Sequence, residues 1–240
     1  MKITLIGHNT LLIEAAGARI LTDPYFGPRG NPFYMRLSPP ARPPEALREV
    51  DAVLVSHNHW DHIDRHFFRL LPGQTPIFAP HLTAWETRLY GGRHVVGLRP
   101  WQSVSLGEIE IHAVPAVHLV PTVGFVIRAE GLQIYFAGDT FYAPFMKQIG
   151  DRFALDVALI PVTTYRPPMT MNEREAVLAT RDLAPRLVIP VHLGLDMRLP
   201  LLRTGQTPQG YIRRLLEAGL DIPVKLLKEG ETWQNQPVTS

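Results

Sequence analysis

Apolar positions near the start of the chain fall into short β-type runs. Residues 2–6, 10–14 and 18–22 are such runs, separated by Gly and Asn, and they predict an opening meander of strands. The pattern then breaks. Residues 24–44 are rich in Pro, Gly and Arg without periodicity, which predicts a long loop of the kind that serves function or moves. Asp51-Ala-Val-Leu-Val55 reads as a buried strand. Ile77-Phe78-Ala79 and Val95-Val96 read as further strands, with a short helix near 82–90 between them. Residues 108–114 alternate apolar and polar side chains, the period of a half-exposed strand. Residues 123–128 and 132–137 form a hairpin turning at Glu130-Gly131, and Ala158–Pro161 is another buried strand. Asn172–Leu183 reads as a helix with Asn172 as its N-cap. Leu187–Val191 is a strand, and 208–219 a helix closed by Gly219. No internal linker or repeat interrupts this order, so residues 1–240 are expected to form a single domain. Strands first, then strand–helix alternation in both halves, fit a layered α/β sandwich better than a doubly wound sheet.

Composition narrows the chemistry. With 45% hydrophobic residues in 240 positions the chain can bury a full core. The formal charge is +2, and the pI near 9.0 reflects a small Arg excess rather than a basic face. Arg213-Arg214 is the densest basic spot and reads as solvated helix surface, so no nucleic-acid partner is expected. There are no cysteines, which leaves His and carboxylate as the only strong metal donors. Met1–Gly7 reads as a strand rather than a signal core, and no apolar stretch is long enough to cross a bilayer. A cytoplasmic location is therefore expected.

The densest set of donors follows the strand at 51–55. His57-x-His59-x-Asp61-His62 offers four ligand-type side chains within six residues. If His57 and His59 stay extended, alternation points both the same way and lets them grip one ion. Asp61 and His62 follow the turn and can face a second. Further donors stand at other strand ends, next to small residues: His118 after Pro115-Ala116-Val117, Asp139 after Ala137-Gly138, and His192 before Leu193-Gly194. Each alone could be a capped turn; together they complete two sites.

These residues resemble the metallo-β-lactamase superfamily, whose signature is His-x-His-x-Asp-His followed by a distant His, Asp and His. The resemblance runs from about Gly7 to Gly194. It implies a four-layer αββα sandwich with metals at one edge between the sheets. It implies that His57, His59 and His118 hold one metal, that Asp61, His62 and His192 hold the other, and that Asp139 bridges them. Gly7-His8-Asn9-Thr10 and Leu21-Thr22-Asp23-Pro24 look like the branch of ascorbate-6-phosphate lactonase, N-acyl-phosphatidylethanolamine phospholipase D and general metal-dependent hydrolases. Pro168-Met169-Thr170-Met171-Asn172 lacks the His those phospholipases carry there, and is more like the general hydrolase group.

The expected function is hydrolysis of an ester, lactone or phosphodiester of a small molecule or lipid. Two cations about 3.5–4 Å apart share a hydroxide and polarise the substrate oxygen. Zinc is the default, and manganese, iron and nickel suit the same donors. Asp61 is expected to orient the hydroxide and handle a proton. His8 and Asp23 are expected to orient ligands through hydrogen bonds, with a turn cap as the plainer role for Asp23. Tyr165 is a candidate donor to a developing oxyanion, or an ordinary half-buried Tyr. His66, His81, His94 and His112 lack ligand spacing, and Trp60, Trp85 and Trp101 read as packing residues. The aromatic residues of 24–44, among them Tyr34, are candidates to line the pocket. A nuclease of the same superfamily and a metal-containing sensor are the competing readings. Against the first stand the charge balance and the absence of an added clamp domain; a homo-oligomer is left open.

Overall fold

A computed structural model of the chain describes residues 1–27 and 32–235. The first half runs β1 (Lys2–Gly7), β2 (Thr10–Ala15), β3 (Ala18–Thr22), β4 (Tyr34–Arg36), β5 (Ala52–Leu54), α1 (Arg65–Leu70), β6 (Pro76–Pro80), α2 (Ala84–Leu89) and β7 (His94–Leu98). The second runs β8 (Ser103–Leu106), β9 (Ile109–Pro115), β10 (Val123–Ala129), β11 (Leu132–Phe136), α3 (Phe145–Arg152), β12 (Val157–Pro161), α4 (Glu173–Leu183), β13 (Leu187–Val191), β14 (Leu195–Met197), α5 (Pro208–Glu217) and β15 (Thr232–Gln234).

Two sheets result. One is ordered β15-β1-β2-β3-β5-β6-β7, the other β13-β12-β11-β10-β9-β8. Each begins with antiparallel hairpins and passes to parallel strands: β3 pairs parallel with β5, and β11 with β12. Parallel neighbours need crossovers, and these supply the helices. Ile3, Leu11, Ile13, Ile20 and Leu54 of the first sheet meet Ile111, Phe125, Ile127, Phe136 and Leu159 of the second in a buried apolar central layer. The opposite face of the first sheet packs Val53, Val55 and Ile77 against Phe67 and Phe68 of α1. The opposite face of the second packs Tyr135, Ala158 and Ile160 against Met146 and Ile149 of α3, Ala176 and Leu183 of α4, and Tyr211 and Leu215 of α5. This is the expected four-layer αββα sandwich.

Local chemistry explains the helix ends. Asn172 Oδ1 accepts from Arg174 N and Glu175 N, and Glu175 accepts from Asn172 N, a reciprocal capping box. The 24–44 segment departs from a plain loop. Its β4 pairs with β14, Leu195 opposite Arg36, which lashes the segment across the end of β13. Residues 28–31 of that segment lie outside the described residues. No described helix is long and apolar enough to cross a membrane.

Candidate metal centre

The chain leaves both sheets at the same rim, and the ligand-type residues stand there. Val55 N bonds Phe78 O and so keeps the strand direction of β5 up to Ser56. The Ser56–His62 segment then turns across the rim. Asp23, just past β3, organises it. Its carboxylate accepts from Ser56 N (2.7 Å), Ser56 Oγ (2.6 Å) and His62 Nδ1 (2.7 Å). Ser56 Oγ has one hydrogen and gives it to Asp23, so it accepts from His57 Nδ1 at 2.9 Å. Both rings are thereby fixed with Nδ1 occupied and Nε2 turned inward. Ser56 is a site residue that sequence reasoning did not single out, because its role depends on Asp23, 33 positions away.

Two clusters form. The ligand-type atoms of His57, His59 and His118 lie within 4.8 Å of one another, and so do those of His8, Asp61, His62 and His192. His118 Nε2 is 3.0 Å from His59 Nδ1. Asp139 stands between the clusters. Its Oδ2 is 3.2 Å from His192 Nε2, 3.4 Å from His62 Nε2 and 4.0 Å from His118 Nε2. Asn9 Nδ2 donates to Asp139 Oδ1 at 3.2 Å and holds the carboxylate in that orientation. Asn9 too has its role only through the fold.

Close backbone approach makes the rim this tight. A Cβ on Gly138 would lie 2.3 Å from Ser56 Cβ, and one on Gly194 would lie 2.7 Å from His8 N. His8, Asp23 and His192 all have positive φ, at 58°, 33° and 65°. Such conformations are strained in residues other than Gly and gather at functional sites.

Electrostatics suit a cation. Burial pushes the imidazolium forms of His57, His8 and His118 out of favour, to about 3 for His8 and about 4 for His118. These imidazoles are neutral at neutral pH and carry a lone pair. Burial likewise opposes the charge on His62, but Asp139 and Asp23 outweigh it and hold its pKa well above the usual value. Burial would raise Asp139, yet His192 and His62 hold it well below the carboxylate range. Asp61 is also held low, by His8, His62 and His192 against its own burial. Among the described residues, His57 Nε2, His62 Nε2, both nitrogens of His8 and both of His192 are buried without a hydrogen-bond partner. Orphaned buried polar atoms of this kind are rare in folded proteins. Their convergence on carboxylates fits divalent cations.

Tyr165 is close to this centre, its ring 6.1 Å from that of His192, but its hydroxyl donates to Leu195 O at 3.0 Å. That hydrogen is engaged with backbone rather than directed into the site. Trp60 and Trp85 are not core residues; each is more than half exposed, and Trp60 packs against the ring of Phe33. His66 pairs with Glu45 at the surface, and His81 pairs with Arg99 on the wall of a cleft that also reaches His118. Tyr34, brought by β4, lines a hollow of about 260 Å³ with His59, Trp60 and Asp61.

Comparison with known proteins agrees with this geometry. The family model described as beta-lactamase superfamily domain matches residues 18–193. The chain belongs to the metallo-β-lactamase superfamily. Within it, the chain is 33% identical to a UPF0173 metal-dependent hydrolase of Opitutus terrae, over 97% of this chain and 99% of the relative. It is 30% identical to the UPF0173 metal-dependent hydrolase of Pyrobaculum calidifontis, over 96% and 98%. Among solved structures, it is similar to a metallo hydrolase from the archaeon Ignicoccus hospitalis, with TM-score 0.76, 26% identity and coverage of 98% and 99%. The isothiocyanate hydrolase from Delia radicum gut bacteria shares the fold, with TM-score 0.79, 21% identity and the same coverage.

Proposed function

We propose that this chain is a binuclear metal-dependent hydrolase of an ester, lactone or phosphodiester carried by a small or lipid-derived molecule. The observation that carries the proposal is the convergence of buried, unpartnered imidazole nitrogens from both sheets around Asp139. His57, His59 and His118 would hold one cation. Asp61, His62 and His192 would hold the other, with Asp139 shared. Zinc is the default for these donors. When bound, the cations acidify water and polarise a carbonyl or phosphoryl oxygen.

The chain's own residues do the rest. Asp23 and Ser56 lock the rings of His57 and His62, so no binding energy is spent on ordering them. Asp61, ionised at neutral pH, accepts a hydrogen bond from the attacking water and orients it. Phe33 and Trp60, with ring centroids 5.5 Å apart, flank one side of the mouth. A cleft of about 620 Å³ opens beside His118 on the other, lined by Leu82, Val117 and Leu119. An apolar substrate portion suits both walls. The likeness to the lactonase and phospholipase branch belongs to this proposal, and the His-free stretch 168–172 favours its general hydrolase members.

The test is to measure bound metal and then screen the loaded protein on lactones, thioesters and bis(p-nitrophenyl) phosphate. Hydrolysis that disappears on chelation and returns with metal supports the proposal. Hydrolysis that persists after complete metal removal sinks it, as does full activity in metal-loaded Asp61→Asn for the role of Asp61.

A further inference from the structure

The β1–β2 turn carries an imidazole with no evident structural employment. His8 is 1% exposed, and among the described residues neither of its nitrogens has a hydrogen-bond partner. A buried imidazole in that condition is unstable unless something satisfies it. Its Nε2 lies 3.7 Å from Asp61 Oδ2. That is too long for a hydrogen bond. It is the spacing of two donors that each stand about 2.0–2.2 Å from a common ion. The His8 ring is 4.1 Å from that of His192 and 5.6 Å from that of His62. The backbone fixes this placement: φ at His8 is 58°, His192 N bonds His8 O, and Gly194 leaves room only for hydrogen against His8 N.

From this geometry we infer that His8 is a direct ligand of the cation held by Asp61, His62 and His192, rather than a residue that orients those ligands. The inference rests on the binuclear reading above. It makes the two sites unequal. One has three imidazoles (His57, His59, His118), and the other has three imidazoles and a carboxylate before Asp139 is counted. Four-coordinate tetrahedral geometry serves the first, whereas five or six donors serve the second, which favours cations that accept higher coordination.

Cobalt(II) tests this, because its visible d–d bands report coordination number without any assay of activity. The chelator-treated full chain and its His8→Gly variant are titrated with cobalt, with and without millimolar imidazole. Glycine accepts the positive φ and leaves a ring-sized void. The expected result is two equivalents in the wild type. In the variant, one site keeps its bands while the other binds at least tenfold more weakly with altered bands, and added imidazole restores the wild-type spectrum. His8→Asn, which also tolerates a left-handed backbone, shows the same altered bands if His8→Gly folds poorly. An unchanged spectrum in the variants overturns the role of His8. So does an altered spectrum that imidazole leaves unrestored in a variant with wild-type circular dichroism. Fewer than two equivalents in the wild type is a different failure, that of the binuclear reading itself.

Discussion

Asp23→Asn is the most incisive perturbation of this centre, because it alters one atom at a position with no solvent access. Asp23 is 0% exposed, and its carboxylate accepts from Ser56 N, Ser56 Oγ and His62 Nδ1. Asparagine offers one oxygen and one NH2 group. If the oxygen stays on Ser56 N, the NH2 faces His62 Nδ1, and the ring must move its hydrogen to Nε2. That atom lies 3.4 Å from Asp139 Oδ2, where a lone pair is required to bind a cation. If the amide flips instead, its NH2 confronts Ser56 N–H, and a buried donor goes unpaired at about 1–3 kcal/mol. Either way the cation site containing His62 should weaken about 10–100-fold, or about 1.4–2.7 kcal/mol. Competition against a calibrated chelator measures this site by site. Ser56 Oγ shares that Asp23 oxygen and would turn its hydrogen toward His57 Nδ1, so the site of His57, His59 and His118 should weaken as well, though only through one of its three rings. Affinity at the His62 site within a factor of two of wild type would refute the tautomer argument.

Other expectations follow from the same geometry. Gly138→Ala drives a Cβ to 2.3 Å from that of Ser56 at a φ of 58°; overpacking and left-handed strain should cost about 2–5 kcal/mol in urea denaturation, and Ser56→Gly should recover part of it. Metal-free protein should lose stability as pH falls from about 6.5 toward 4. His8, His57 and His118 stay neutral in the fold while the unfolded chain takes up protons over that interval. The raised pKa of His62 acts in the other direction, its contribution fully present below 6.5 and lost as pH rises through its folded value. A melting temperature flat from pH 7 to 4 contradicts this. Trp60, 56% exposed at the mouth, should tolerate Ala with a stability change within about 0.5 kcal/mol, while KM for an ester with an apolar acyl group rises and kcat holds. A proportionate fall in kcat would instead place Trp60 against the reacting atoms.

Much of the fold could be read from the chain. β1, β2 and β3, the β10–β11 hairpin and α4 with its Asn172 cap announce themselves through local pattern and turn chemistry. α1 and α3 do not. α1 has six residues, too few to show a helical period, and α3 follows Pro144 without a side-chain cap. β14 and β15 are three-residue strands held by partners far away in sequence. The donors after β5 were conspicuous because they are contiguous. His8 and Asp23 could be seen in short motifs, but their relation to His192 and His62 exists only once the sandwich closes. Ser56 and Asn9 are hydrogen-bonding parts of a network with no local signal.

The rim placement of the centre has a consequence for the whole molecule. His57, His59, His8, Asp61 and His62 come from the first sheet, and His118, Asp139 and His192 from the second. Neither half of the chain owns a complete set of donors. The centre therefore works as a logical conjunction: it exists only when both halves are folded and in register. On the binuclear reading, each cation would be a rivet through two plates whose broad contact is otherwise apolar and non-directional. Apolar side-chain packing resists separation but tolerates sliding, whereas coordination fixes position. Cations would thus set the alignment of the sheets, and a chain that has failed to align them would be marked by its inability to retain metal.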